Sequence, residues 1–249
     1  AADGGSSRDV DLLEAEDATA AGYRVSAMRS RDSSSYAMLR VLRRLDFVDG
    51  EYLLRPKGRA AGHVETGNAV LTVELLVSGA LQELDVAETA AVLSCLLQSG
   101  DDSGARKDRL VDKQFLESLR LENARMAMAL ASLQQHCERV AAVVDEVVGE
   151  GGRERHAAWP CVTLRCELIR PVLLWASGES FEASWQRCAG EVYEGTLVRA
   201  FRALDQFLGE IAKAAATLGD TPLAQKVESC MDAVHRGLPF APSLFVADD

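Results

Sequence analysis

Aromatic side chains are scarce in this chain, at 6% of 249 residues, while alanine and leucine are plentiful. That balance disfavours a β-sandwich and favours helices. No apolar run reaches the roughly 18 residues a membrane span needs, so no membrane partner is expected. The acidic opening AADGGSSRDVDLLEAED has no hydrophobic signal core, so secretion is not indicated. It also lacks an initial Met, which reads as the start of an excised piece. Basic charge is short as well. The 27 Lys and Arg face 38 Asp and Glu, for a formal net charge of −11 and a pI near 4.9. An autonomous nucleic-acid binder usually carries the opposite balance.

Metal and catalytic motifs are missing too. The six cysteines, Cys95, Cys137, Cys161, Cys166, Cys188 and Cys230, form no C-x-x-C pair. Cys161 and Cys166, five apart, fall roughly 140° apart on a helix. They read as reduced core thiols, which points to an intracellular compartment and to no metal site. There is no G-x-x-x-x-G-K-[ST] phosphate loop, no G-x-S-x-G elbow and no H-E-x-x-H. No catalytic residue and no cofactor are therefore expected in this chain, which by itself does not look like an enzyme.

What is present is helical punctuation. Residues 1–32 are small and polar and are expected to be a flexible segment. SSSYAMLRVLRRLDF, from Ser33, has serines in cap position and an apolar series Met38, Leu42, Leu45. EYLLRPKGRAAGHVE follows, and its Pro56-Lys57-Gly58 punctuation predicts a β-hairpin. A helix followed by a hairpin is the tail end of a winged helix. Everything after Thr66, itself a plausible cap, reads helical. Asp85 with Glu88 three on makes a capping box. From about Lys107 to Val148 neither proline nor glycine interrupts, predicting a helix roughly 60 Å long. Its second half is supported by the four-three spacing of Met126, Leu130, Leu133, Cys137, Val140, Val144 and Val147. Pro171 predicts a kink, Ser180 a cap, Gly219 a helix end, and Pro222 a helix start. Phe240, Leu244 and Phe245 are expected to dock on the bundle. The expected fold is mainly α: a helical bundle (67–249) with a short β-hairpin from a partial winged helix (33–66).

The most organised stretch is EVYEGTLVRAFRALDQFLGEI, Glu191 to Ile211. Leu197, Phe201, Leu204, Leu208 and Ile211 make one apolar stripe, and Arg199, Arg202 and Gln206 make an outward one.

Several pieces in order carry a family likeness: K-G-R-A-A at Lys57, W-x-x-G-x-S-F at Trp175, Y-E-G-T-L-V-R at Tyr193, and A-P-S-L-F at Ala241. From roughly Tyr36 to the end the chain resembles the C-terminal region of superkiller-type, exosome-assisting RNA helicases, whose closing bundle is called the DSHCT domain. The resemblance implies a module closing one side of an RNA channel. The motor domains of the parent protein would bind ATP and Mg and pull single-stranded RNA. Segment 1–32 would be the stump of an arch inserted in the winged helix. The implied partners are single-stranded RNA, the motor domains of the same protein, the RNA exosome and its adaptor proteins.

In that family a ratchet helix presents side chains to the bases, and Y-E-G-T-L-V-R places it at Glu191 to Ile211. The implied RNA-contacting residues are Arg199 and Arg202 on phosphates and Gln206 on a base edge. Lys57 and Arg59 on the expected hairpin would touch RNA or a neighbouring domain. The chain departs from the common R-x-x-[RK]-R-L-E-E pattern at Ala203, where a base is usual, and at Gln206, where an acid is usual. Those departures keep a second reading open, a protein-interaction scaffold bundle without RNA handling. VLRRLDF leans to the nuclear branch of the family, E-G-T and the R-x-L-D run to the cytoplasmic one. Nuclear is the expected placement and cytoplasmic the alternative.

Overall fold

The computed structural model describes residues 34–98, 111–148, 164–187 and 192–241. The arch stump expected at 1–32, the loop before Val111, Cys161, Cys188, Leu244 and Phe245 lie outside those residues. Helix α1 spans Ser34–Arg44, with Val41 inside it and Leu45 just beyond it buried. The chain then reverses between Val48 and Leu54, which form an isolated antiparallel bridge. The Asp49 carboxylate ties this reversal, accepting from the backbone N–H of Glu51 at 2.8 Å and of Leu53 at 2.9 Å.

The hairpin turn expected at Pro56-Lys57-Gly58 does not form. Pro56–Ala61 is a short helix, α2. Pro56 sits in its first turn, where a fixed φ suits the helix and the missing N–H costs nothing. Gly58 is needed for close approach rather than for a turn. A Cβ there would lie 2.3 Å from the Phe47 carbonyl oxygen. One Pro-x-Gly pattern thus served a helix start and a tight packing contact, not a turn.

Helix α3, Ala69–Ser78, is capped by Asn68 and not by Thr66. The Asn68 side chain accepts from the Leu71 N–H at 3.0 Å. Helix α4, Val86–Ser94, has the expected capping box between Asp85 and Glu88. The long helix expected from Lys107 is two helices, α5 (Lys113–Glu122) and α6 (Ala124–Val148), parted at Asn123 with φ −152°. Asn123 stops the first and starts the second. Its Oδ1 accepts from the Met126 N–H at 3.1 Å, and its Nδ2 donates to Glu88 at 2.6 Å. Along α6 the four-three series holds, with Met126, Leu130, Leu133, Cys137 and Val144 buried and Val140 and Val147 packed beside them.

Helix α7, Ile169–Ala176, follows a 3-10 turn at Cys166–Leu168. Pro171 therefore falls in the first turn, where no backbone hydrogen bond is lost. The expected mid-helix kink is replaced by a helix start. Helix α8, Phe181–Gln186, is capped by Ser180. Helix α9, Glu194–Leu218, ends at Gly219 with φ 84°, the left-handed conformation glycine adopts without penalty. Helix α10, Thr221–Val234, starts with Pro222 in its first turn, and a 3-10 turn at Leu238–Phe240 closes the described chain.

Helix α9 packs on α10 and on α2, and α10 packs on α4 and α7. Leu197, Phe201, Leu204, Leu208 and Ile211 of α9 are all fully buried, as is Phe207. Trp175 of α7 stacks on Phe201 at 5.2 Å and meets Phe181 of α8 edge-on at 6.2 Å. Its indole N–H donates to the Val234 carbonyl at 2.8 Å, so the buried ring leaves no polar atom unsatisfied. Lys226 of α10 donates to three carbonyls of the α3–α4 connection, Leu81, Gln82 and Leu84, at 3.0, 2.7 and 2.8 Å. An ammonium has three donors, and all three are used. Cys95, Cys137 and Cys230 are buried, and burial pushes the Cys230 thiol up to about 12.

The N-terminal part comes close to α9 at Gly67. A Cβ there would lie 2.4 Å from the Phe207 ring. Gly67→Ala should therefore destabilise the fold by about 1–3 kcal/mol, as overpacking does. Thermal unfolding reads it directly, and an unchanged midpoint would mean that Phe207 moves aside freely.

Candidate nucleic-acid interface

On α9 the apolar stripe faces inward, so geometry turns Arg199, Arg202 and Gln206 outward, and all three are exposed. Their surroundings differ. Arg199 donates from Nη2 to Thr196 Oγ1, one turn back on its own helix, at 3.3 Å. Among the described residues no acid lies within ion-pair distance of its guanidinium. Arg202 donates from Nε to the Pro239 carbonyl, bracing the C-terminal 3-10 turn against α9. One of its five donors is committed there.

Gln206 is held from the next turn. Its Nε2 donates to Glu210 Oε1 at 3.1 Å. Glu210 is itself anchored. Its Oε2 accepts from the backbone N–H of Glu65 and of Thr66, both at 2.9 Å, and its Oε1 accepts from the Thr66 hydroxyl at 2.5 Å. Partial burial alone would raise the Glu210 carboxyl, but the Thr66, Glu65 and Gln206 donors outweigh it and hold the group below its ordinary value. The four-three spacing carried on from Gln206 reaches Glu210 and then Lys213, which is exposed on the same face. That spacing was the signal that would have found both.

Lys57 and Arg59 stand elsewhere, on α2. Lys57 Nζ meets Glu74 Oε1 of α3 at 2.8 Å, with only 18% of the lysine and 3% of the glutamate side chain exposed. His136 and Arg139 of α6 approach the other Glu74 oxygen at 3.7 and 3.8 Å. Burial lowers the His136 pKa, with Arg139 and Lys57 adding to the effect and Glu74 opposing it. The part-buried Lys57–Glu74 pair thus joins α2 to α3, and the other Glu74 oxygen faces α6. Arg59 is exposed and donates to the Leu54 carbonyl at 3.2 Å. The structure brings three of the five residues onto one helix face and sets the other two on a neighbouring helix.

Among the described residues no group of His, Cys, Asp and Glu is arranged to hold a metal ion, and no helix is long and apolar enough to cross a membrane. The residue pattern of the DSHCT (NUC185) domain matches residues 51–241. The chain belongs to the DSHCT family. This DSHCT chain is 33% identical over 212 residues to the ATP-dependent RNA helicase mtr4 of Schizosaccharomyces pombe, covering 83% of this chain and 17% of that protein. It is 30% identical over 207 residues to the DExH-box ATP-dependent RNA helicase DExH10 of Arabidopsis thaliana, covering 83% of this chain and 19% of that one. The human exosome RNA helicase MTR4 is 26% identical over 207 residues, covering 83% and 18%. The DSHCT chain thus spans less than a fifth of the length of these relatives.

Two outcomes follow from the charged anchors of this DSHCT chain. Lys57→Met strands Glu74 in the core with only Arg139 and His136 nearby, and should cost about 3 kcal/mol. Urea denaturation measures this, and a cost near zero would mean that Arg139 takes over the pair. Glu210, held below its ordinary pKa in the fold, contributes stability that is present above the unfolded carboxyl range. That contribution is lost as pH falls through the lower folded value. Glu210→Gln should therefore be less stable than the parent at pH 7, with the gap closing below about pH 4. A gap independent of pH would remove the carboxylate from the account.

Proposed function

We propose that this chain is the C-terminal RNA-channel module of a longer ATP-dependent RNA helicase that assists exosome RNA processing and decay. The motor, with its ATP and Mg, lies elsewhere in that protein. Helix α9 is the ratchet helix facing single-stranded RNA. The observation that carries this reading is the outward stripe of Arg199, Arg202, Gln206 and Lys213 on a helix whose opposite face is fully buried. A rigid helix with a polar, partly cationic face can offer phosphates a fixed guanidinium and offer bases a hydrogen-bonding group. The names of the relatives, exosome RNA helicase and ATP-dependent RNA helicase, support the same assignment.

The roles differ by residue. Arg199 meets phosphate, because its guanidinium is exposed and, among the described residues, bonded only to Thr196. Arg202 serves twice, fixing the C-terminal turn through Nε and offering its terminal nitrogens to the strand. Gln206 faces the bases. Lys57 is a structural partner of Glu74, and Arg59 supports the approach of the strand or of a neighbouring domain. The formal charge of −11 fits a module whose RNA affinity is supplied mainly by the motor. In this reading residues 1–32 are the stump of the arch, 33–66 the end of the winged helix and 67–249 the bundle. The exosome, its adaptor proteins and the motor domains are the partners, and the nucleus is the compartment.

Arg199→Ala with Arg202→Ala in the intact helicase should slow RNA unwinding several-fold. It should also flatten the salt dependence of single-strand affinity, by about 0.7 in the log–log slope for each phosphate no longer neutralised. Unchanged unwinding together with an unchanged slope would sink the ratchet assignment. The face would then belong to a scaffold that binds protein.

A further inference from the structure

We infer that the acidic segment DVDLLEAED, Asp9 to Asp17, docks within its own chain on the reversal between α1 and α2. The inference goes beyond the RNA-facing reading and makes no use of α9. Exposure singles out the reversal. Leu53 and Leu54 are 51% and 60% exposed, and among the described residues no other two neighbouring large apolar side chains are both exposed. Charge singles it out as well. Residues 40–59 hold six basic residues against three acidic ones, in a chain that carries −11 as a whole. Arg44, Arg55 and Lys57 are paired with Glu146, Asp46 and Glu74. Arg40, Arg43 and Arg59 have no acid within ion-pair distance among the described residues. Two of these three stand at the reversal: Arg59 donates to the Leu54 carbonyl at 3.2 Å, and the Arg43 guanidinium lies 5.9 Å over the Tyr52 ring. Of the nearby acids, Asp46 is paired and Asp49 is held by the Glu51 and Leu53 N–H groups, which leaves Glu51 to oppose an acidic ligand.

The backbone at this place has an open edge. The Val48–Leu54 pair is flanked by the bonds from Asp49 N–H to the Leu53 carbonyl at 3.0 Å and from Arg55 N–H to the Phe47 carbonyl at 2.9 Å. Leu54 therefore turns its own N–H and C=O outward. The carbonyl receives Arg59, and the N–H has no partner among the described residues. An unpaired edge accepts an extended segment, and cations beside it select an acidic one.

Residues 9–17 have the matching chemistry. They carry five acids, Asp9, Asp11, Glu14, Glu16 and Asp17, and no base. In their middle stand two adjacent leucines, Leu12 and Leu13. Successive side chains of an extended segment point to opposite faces. Laid along the edge, Leu12 and Leu13 would meet Leu53 and Leu54, one on each face, with carboxylates on either side for Arg43 and Arg59. The tether is long enough. Sixteen residues separate Asp17 from Ser34, a reach of roughly 50 Å when extended, against about 16 Å for the length of α1.

The test uses the full chain and a fluorescein-labelled peptide of residues 9–17. Leu12→Ser with Leu13→Ser alters only the segment and frees the reversal. The peptide should bind this freed chain, and should bind the parent about fivefold more weakly because the tethered segment competes. Adding Arg43→Glu and Arg59→Glu should weaken peptide binding about tenfold, as two exposed ion pairs become repulsions, and added salt should weaken it too. The Leu54 amide should exchange with deuterium more slowly in the parent than in the freed chain, a comparison that leaves the folded part untouched. Equal exchange in the two chains overturns the inference. So does a peptide that fails to bind the freed chain, or that binds it equally well after the charge reversal. Oligouridylate that binds the reversal where the peptide does not would assign the surface to RNA, and the docking of residues 9–17 would fall.

Discussion

The stacking of Trp175 on Phe201 is the contact on which the C-terminal half is assembled. One indole brings together α7, which carries it, α8 through Phe181 and α9 through Phe201. It reaches α10 through the hydrogen bond to the Val234 carbonyl. Arg236 lies with its guanidinium 3.8 Å over the same ring and donates to the Trp175 and Glu179 carbonyls. The chain emerging from α10 is thereby folded back over α7. Four elements converge on one buried side chain, which combines a large apolar face with a single polar atom that must find an acceptor. Without that acceptor the ring would be costly to bury; with it, the crossing of the helices is specified as well as stabilised.

Once that half is assembled, α9 has two unlike sides, and their separation organises the molecule. Inward it is Leu, Phe, Ile and Ala; outward it is Arg, Gln and Lys, on a chain that is otherwise acidic. The N-terminal part grips the helix from one flank, with Gly67 against Phe207 and residues 65 and 66 on Glu210. The C-terminal turn grips it from the other, through Arg202. Between these grips Arg199, Gln206 and Lys213 stay exposed.

How much of this was legible in the sequence depended on the range of the interaction. The stripe on α9 was legible because it is periodic, and helix periodicity needs no knowledge of the fold. So were the capping box at Asp85 and the glycine end at Gly219, each set within a few residues. Pro56-Lys57-Gly58 was misread because the same residues serve a helix start and a close backbone approach, and only the position of Phe47 separates the two. A break somewhere in the long helix was open on length alone, but its place at Asn123 went unread: the local cap on the Met126 N–H is a weak signal, and the second bond, to Glu88, reaches 35 residues away. Among the site residues, Lys57 read as an exposed cation because Glu74 is brought to it by folding. Arg202 read as free because its acceptor lies on a turn 37 residues on. Local patterns show where a helix lies and which way it faces; they do not show which of its charges are already taken.

The fit of Phe207 into the space left open at Gly67 has a mechanical consequence. A ring seated in a notch, with the Glu210 carboxylate latched one turn further along, acts as a key in a keyway. Helix α9 cannot turn about its own axis without driving the ring into the backbone. Twisting α9 about its axis is thereby opposed by the segment before α3, on which both the ring and the carboxylate bear.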